Sequence, residues 1–130
     1  MWAAILCVFL GSGIGGVLRY LTGVFMQMEA HGTAGWMLPW STFVVNVAGC
    51  FIFGLVYGLS LAAGMTKEWK LALTTGFCGG LTTFSTFSYE TLALISDGHL
   101  LQGTAYSLIS LVTGVAAAWL GYTLVRITFN

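Results

Sequence analysis

Between Trp69 and Ile95 the chain carries an apolar segment long enough to cross a bilayer, yet its middle cannot make an ordinary membrane helix. It reads Thr74-Thr75-Gly76-Phe77-Cys78-Gly79-Gly80-Leu81-Thr82-Thr83-Phe84-Ser85-Thr86-Phe87-Ser88. Glycine weakens a helix by about 1 kcal/mol relative to alanine, and here glycines 76, 79 and 80 fall within a single turn and a half. A run of hydroxyls with phenylalanines at i and i+3 follows. Non-helical backbone survives at membrane depth only when buried in protein or facing a polar cavity. The run therefore predicts a helix interrupted over Gly76–Thr83, with its freed backbone groups and hydroxyls turned toward something that binds or passes.

The rest of the chain places that segment in a membrane. Apolar stretches at Trp2–Met26, Trp40–Ala63 and Leu100–Ile127 flank it, each long enough for a span of about 20 residues. Only 6% of the 130 residues are charged, against about 25% in soluble domains. The prediction is an all-α membrane protein, one transmembrane domain over residues 1–130 with four spans and a broken third. This length leaves no room for an appended catalytic domain. The net charge of zero and the lack of a basic run argue against a nucleic-acid partner. Met1-Trp2-Ala3 lacks the positive start of a signal peptide, so the first stretch is expected to be a retained span. Cys7, Cys50 and Cys78 lie in apolar segments without CxxC spacing and read as small buried hydrophobes. His99, in the turn Ser96-Asp97-Gly98-His99, reads as a solvated loop residue.

Gly11-Ser12-Gly13-Ile14-Gly15-Gly16 in span one and Gly54-Leu55-Val56-Tyr57-Gly58 in span two are small-residue faces suited to close helix packing. Arg19 lies about 25 Å along its helix, where it could snorkel to headgroups or serve an ion pair or vestibule. Trp36 and Trp40, around the connection Gln27–Leu38, fit an interfacial aromatic belt. Asn46, about 9 Å along span two, is either glue between helices or an amide donor to a passing anion. Tyr106, Ser110 and Thr113 recur at i, i+4 and i+7 and share a helix face. In membrane helices such hydroxyls also bond their own i−4 carbonyls.

With four spans, Arg19, Asn46, Glu90, Tyr106 and Ser110 all fall in one half of the bilayer, toward the first and third connections. A polar route through one protomer would stop near the midplane, and an inverted second copy would supply the other half. Lys67, Lys70 and Arg126 lie on the terminal side against Arg19 on the other, a modest positive-inside bias toward one orientation. Arg19 and Glu90 share a side, so an ion pair between them is expected.

Gly79-Gly80-Leu81-Thr82-Thr83-Phe84-Ser85-Thr86-Phe87-Ser88, with Asn46-Val47-Ala48-Gly49 and Gly16-Val17-Leu18-Arg19-Tyr20, resembles the Fluc (CrcB) fluoride channels over essentially the whole chain. The resemblance implies an antiparallel, dual-topology homodimer in a bacterial inner membrane, with two pores that passively export toxic fluoride. It implies a structural sodium ion at the dimer centre, held by backbone carbonyls at positions matching Gly79 and Thr82. It also implies pore phenylalanines at Phe84 and Phe87, a pore asparagine at Asn46, and a hydroxyl track through Ser85, Thr86, Tyr106 and Ser110. A second serine that some members carry one turn on would fall at Gly114 and is absent. The residue types suit the task. Fluoride is tightly hydrated, so uncharged amide and hydroxyl donors must replace its water, and a phenyl edge is mildly attractive to an anion.

Other readings fit the size. A small proton-coupled multidrug exporter needs a carboxylate deep in span one, which has none. A non-conducting structural membrane subunit would be indifferent to change at Asn46 or Phe84. An enzyme is least expected: Glu29, Glu68, Glu90 and Asp97 are the only acids and form no catalytic constellation.

Overall fold

The computed structural model describes residues 1–29 and 38–129, with side chains described outside 27–29. Trp36 and most of the connection after Gln27 therefore lie outside the described residues. Within them the molecule is helical, without strands. Helix α1 spans Trp2–Glu29 and α2 spans Trp40–Ala62. Next come α3 (Lys67–Leu71), a π-helical segment (Ala72–Cys78) and a short α4 (Gly79–Leu81). Helix α5 covers Phe84–Ser96 and α6 Leu100–Phe129. Three of these, over Trp2–Met26, Trp40–Ala62 and Leu100–Phe129, are long and apolar enough to cross a membrane, with mean hydropathies of 1.8, 2.0 and 1.8.

Local chemistry sets the boundaries. Thr66 caps α3, its hydroxyl accepting from Trp69 N–H, so Lys67, Glu68 and Lys70 open a helix rather than sit in a connection. Helix α5 ends in a Schellman turn. Gly98 takes φ +85°, Gly98 N–H donates to Ile95 O, and His99 N–H donates to Leu94 O at 2.9 Å. That exchange satisfies carbonyls the helix end leaves open. His99 is exposed.

Glycines carry the packing. Gly11 and Gly15 of α1 face the π-helical segment and α4, and the facing residues are themselves Gly76 and Gly80. A Cβ on Gly76 would meet Gly11 Cα at 3.1 Å, and one on Gly80 would meet Ser12 Cα at 2.9 Å. Gly76 and Gly80 therefore do not open the backbone; both are helical. The expected interruption over Gly76–Thr83 is narrower, and its physical cause differs. The small residues form a close helix–helix seam, and only Thr82 and Thr83 leave the helical region, at φ/ψ −82°/157° and −148°/118°. On the other side α2 packs on α6, with Gly54 against the Ala118 backbone, Gly58 against Val125, and Gly121 against α2 between Phe51 and Leu55. The Gly54–Gly58 face thus packs closely, as its spacing predicts.

Candidate functional site

Two extended residues between helices expose backbone groups that must find partners. The Asn46 side chain closes on Thr83 from both sides, Oδ1 accepting from Thr83 N–H at 2.7 Å and Nδ2 donating to Thr83 O at 3.2 Å. Arg19 Nη1 donates to Thr82 O at 3.3 Å. Thr83 Oγ1 caps α5 by accepting from Thr86 N–H at 3.2 Å, and donates to Thr86 Oγ1 at 3.0 Å. It lies 3.3 Å from Ser85 Oγ. Thr83, at the centre of this knot of bonds, is 7% exposed. Asn46 therefore acts as glue between α2 and the extended pair. Its second amide hydrogen is left over, because Thr83 takes only one.

Three cavities meet at this pair. The first, about 420 Å³, is lined by Arg19, Thr42, Thr83, Thr86 and Glu90 among others. Arg19 and Glu90 share it, but the expected ion pair between them is not formed. The guanidinium turns to Thr82 O, while Glu90 accepts from Thr42 Oγ1 at 2.7 Å and from Tyr106 Oη at 3.0 Å. A carboxylate supplied by two hydroxyl donors, and an arginine on a carbonyl, are each satisfied without the other.

The second cavity, about 250 Å³, brings together Asn46, Thr83, Phe84, Phe87 and Ser110, with Cys50 and Gly114 also in its lining. Phe84 and Phe87 lie with centroids 5.8 Å apart, and Phe87 and Tyr106 5.3 Å apart, both tilted. The rings form a ladder from the extended pair toward Glu90. Phe84 is 80% exposed on the single chain, and Ser85 and Thr86 are exposed beside it. The third cavity, about 370 Å³, is lined by Thr74, Thr75, Gly79, Thr82 and Cys50 among others.

The hydroxyl face of α6 divides. Tyr106 is 4% exposed and reaches Glu90. Thr113 bonds back to Ile109 O. Ser110 Oγ is buried without a partner. A Cβ at Gly114 would meet only Cys50 Sγ, at 3.5 Å, so that position holds space. Sequence reasoning missed Thr42, and it placed Thr83 at the end of the interruption without its part as a helix cap. Thr42 lies four residues before Asn46, hence on its face of α2, and Thr83-x-x-Thr86 has the spacing of a helix cap. Taken together, these residues offer neutral donors, ring edges and carbonyls along neighbouring cavities that share Thr82, Thr83 and Cys50 as lining.

The sequence model described as CrcB-like protein, Camphor Resistance (CrcB), matches residues 6–122. A protein of Thermus thermophilus named Fluoride-specific ion channel FluC is 44% identical over 119 residues, 92% of this chain and 91% of the relative. One of Gloeothece citriformis with the same name is 43% identical over 122 residues, covering 94% and 96%. One of Leptospira interrogans, again so named, is 37% identical over 124 residues, covering 95% and 94%.

Proposed function

The chain belongs to the CrcB family, and from that premise we propose that it is a fluoride-specific ion channel that lets the cell shed toxic fluoride passively. It is a channel and not an enzyme. The observation that carries the reading is the cavity in which Asn46, Phe84, Phe87 and Ser110 converge. An anion there would meet the spare Asn46 N–H, the unpartnered Ser110 hydroxyl and the edges of two rings. None of these bears a fixed charge that would trap it. Ser85, Thr86 and Tyr106 extend the line of hydroxyls, and Arg19 with Glu90 borders the wider cavity through which an ion would enter.

The working unit is an antiparallel homodimer of four-span protomers in a bacterial inner membrane, each third span interrupted at Thr82–Thr83. The exposed Phe84, Ser85 and Thr86 support this. Hydroxyls at membrane depth need polar company, and an inverted copy would provide it. A structural sodium ion at the dimer centre fits the same residues. Thr83 N–H, which in a continuous helix would bond Gly79 O, goes to Asn46 instead, and Thr82 O holds a single donor. Gly79 and Thr82 line one cavity, and neutral carbonyls at a helix interruption suit Na⁺. When bound, the ion would tie the two copies together; it takes no part in conduction.

Liposomes loaded with fluoride test the reading. With a potassium shunt supplied, the purified protein should release fluoride rapidly and leave chloride behind. Phe84→Ile and Phe87→Ile should slow release by on the order of a hundredfold or more, since each replaces a ring edge on the path with an alkyl group. Equal fluoride and chloride release, or ring variants as fast as the parent, would overturn it.

A further inference from the structure

The second cavity takes Phe84 and Phe87 from α5 and Ser110 from α6, so its shape depends on how those two helices lie against each other. One helical turn away from this gap, Thr91 follows Phe87 by four residues and Ser107 precedes Ser110 by three. Each therefore lies on the same face of its helix as the cavity residue it flanks. Thr91 Oγ1 and Ser107 Oγ are 3.2 Å apart. Ser107 donates its one hydrogen to Gly103 O at 3.0 Å, so Thr91 is the donor between them. Elsewhere on α6, Thr104, Thr113, Thr123 and Thr128 turn their hydroxyls back on the carbonyl four residues before; Thr91 crosses to the next helix instead. The backbones are close here, since a Cβ on Gly103 would meet Ile95 Cγ1 at 2.9 Å and Thr91 O at 3.3 Å. Among the described residues, the other side-chain hydrogen bond from α5 to α6 is that of Tyr106 with Glu90, and Glu90 also accepts from Thr42 on α2. Neither Thr91 nor Ser107 lines any of the three cavities.

We infer that Thr91 and Ser107 are positioning residues for the ion path. Their hydrogen bond fixes the register of α5 on α6, and with it the gap between the Phe87 ring and the Ser110 hydroxyl. The inference rests on the channel reading above and deepens it. An ion that gives up its water needs replacement donors at set spacing, and a site of that kind tolerates displacements of only about 0.5 Å. The Phe87–Tyr106 ring contact, with centroids 5.3 Å apart, lies on the same seam and shifts with it. Because the two hydroxyls stay off the path, they act on the ion through register alone.

Fluoride and chloride release from liposomes, measured beside the melting temperature of the same full-length protein, tests the assignment. Thr91→Val keeps the side chain's shape and removes the donated hydrogen. It should slow fluoride release roughly tenfold, the worth of one hydrogen bond, and lower the ratio of fluoride to chloride released. Thr91→Ser should keep the parent's rate and ratio. Ser107→Ala should be slowed as well, and the two changes combined should be no slower than the slower single variant, because both break one bond. Losses that multiply, a serine variant as slow as valine, or a valine variant with the parent's rate and ratio would each overturn the assignment. So would a lower melting temperature with release per folded protein unchanged, which would make the pair an ordinary contact between helices. Where valine does not fold, Ser107→Ala set against Thr91→Ser decides the matter in the same way. Parent vesicles that kept their fluoride would instead sink the channel reading, and this inference with it.

Discussion

At the scale of single residues, Asn46 carries two demands at once. Its carbonyl and one N–H are committed to Thr83, and the remaining N–H is the one left for an ion in the cavity that Asn46 lines. Asn46→Asp separates the parts. The aspartate keeps an acceptor for Thr83 N–H but sets its other oxygen against Thr83 O, leaving that carbonyl unmet at a cost of about 1–3 kcal/mol. The expected result is a lowered melting temperature together with fluoride release too slow to measure. A full loss of release at the parent melting temperature would show that the side chain serves the ion and not the extended pair. Glu90 gives a similar lesson about sequence reading. Its charge suggested the nearest opposite charge, Arg19, but the partners are hydroxyls on α2 and α6. Charge is conspicuous in a sequence, whereas Thr42 looks like any other threonine until the helices are set side by side.

At the scale of elements, the glycines explain which parts of the fold were legible. Hydropathy reads spans well, because a long apolar run has few alternatives in lipid. Trp2 and Trp40 open helices where composition placed them. On its own the glycine-rich run predicts a place where a helix fails, yet a glycine weakens a helix and also lets one come close. Only the facing sequence decides which. Gly11 and Gly15 opposite Gly76 and Gly80 decide for close approach. The interruption two residues later depends on Asn46 and Arg19, from other segments, and no local pattern records them. This distinction predicts unequal tolerance. Gly80→Val pushes a branched side chain into the Ser12 backbone, an overpacking cost of 1–3 kcal/mol at the least by rough measure. Its yield of folded protein on size-exclusion chromatography should collapse. Gly13→Ala has nothing within 4 Å of the added carbon and should elute and melt as the parent does.

At the scale of the whole molecule, the polar groups are unevenly spread across the bilayer, and the connecting charges are few. Arg19, Asn46, Glu90, Tyr106 and Ser110 crowd toward one end of the helix bundle, and the charges toward the opposite end are Lys67, Glu68, Lys70 and Arg126. One copy alone would carry an ion halfway. In the proposed antiparallel dimer an inverted copy would complete the route, which requires the chain to insert both ways against a modest bias of three basic residues to one. Small shifts of charge should therefore act far beyond their size. Ala63→Lys strengthens the bias toward one orientation, whereas Lys67→Gln and Lys70→Gln with Asp97→Lys reverses it, leaving Arg126 alone against two; neither change touches the cavity-lining residues. Each variant expressed alone should leave cells fluoride-sensitive and give little release in vesicles. Expressed together, they should restore both, because the two populations supply opposite partners. Full activity from either variant alone, with its orientation verified by labelling of a loop cysteine, would mean that parallel copies suffice and that the missing half of the route lies elsewhere.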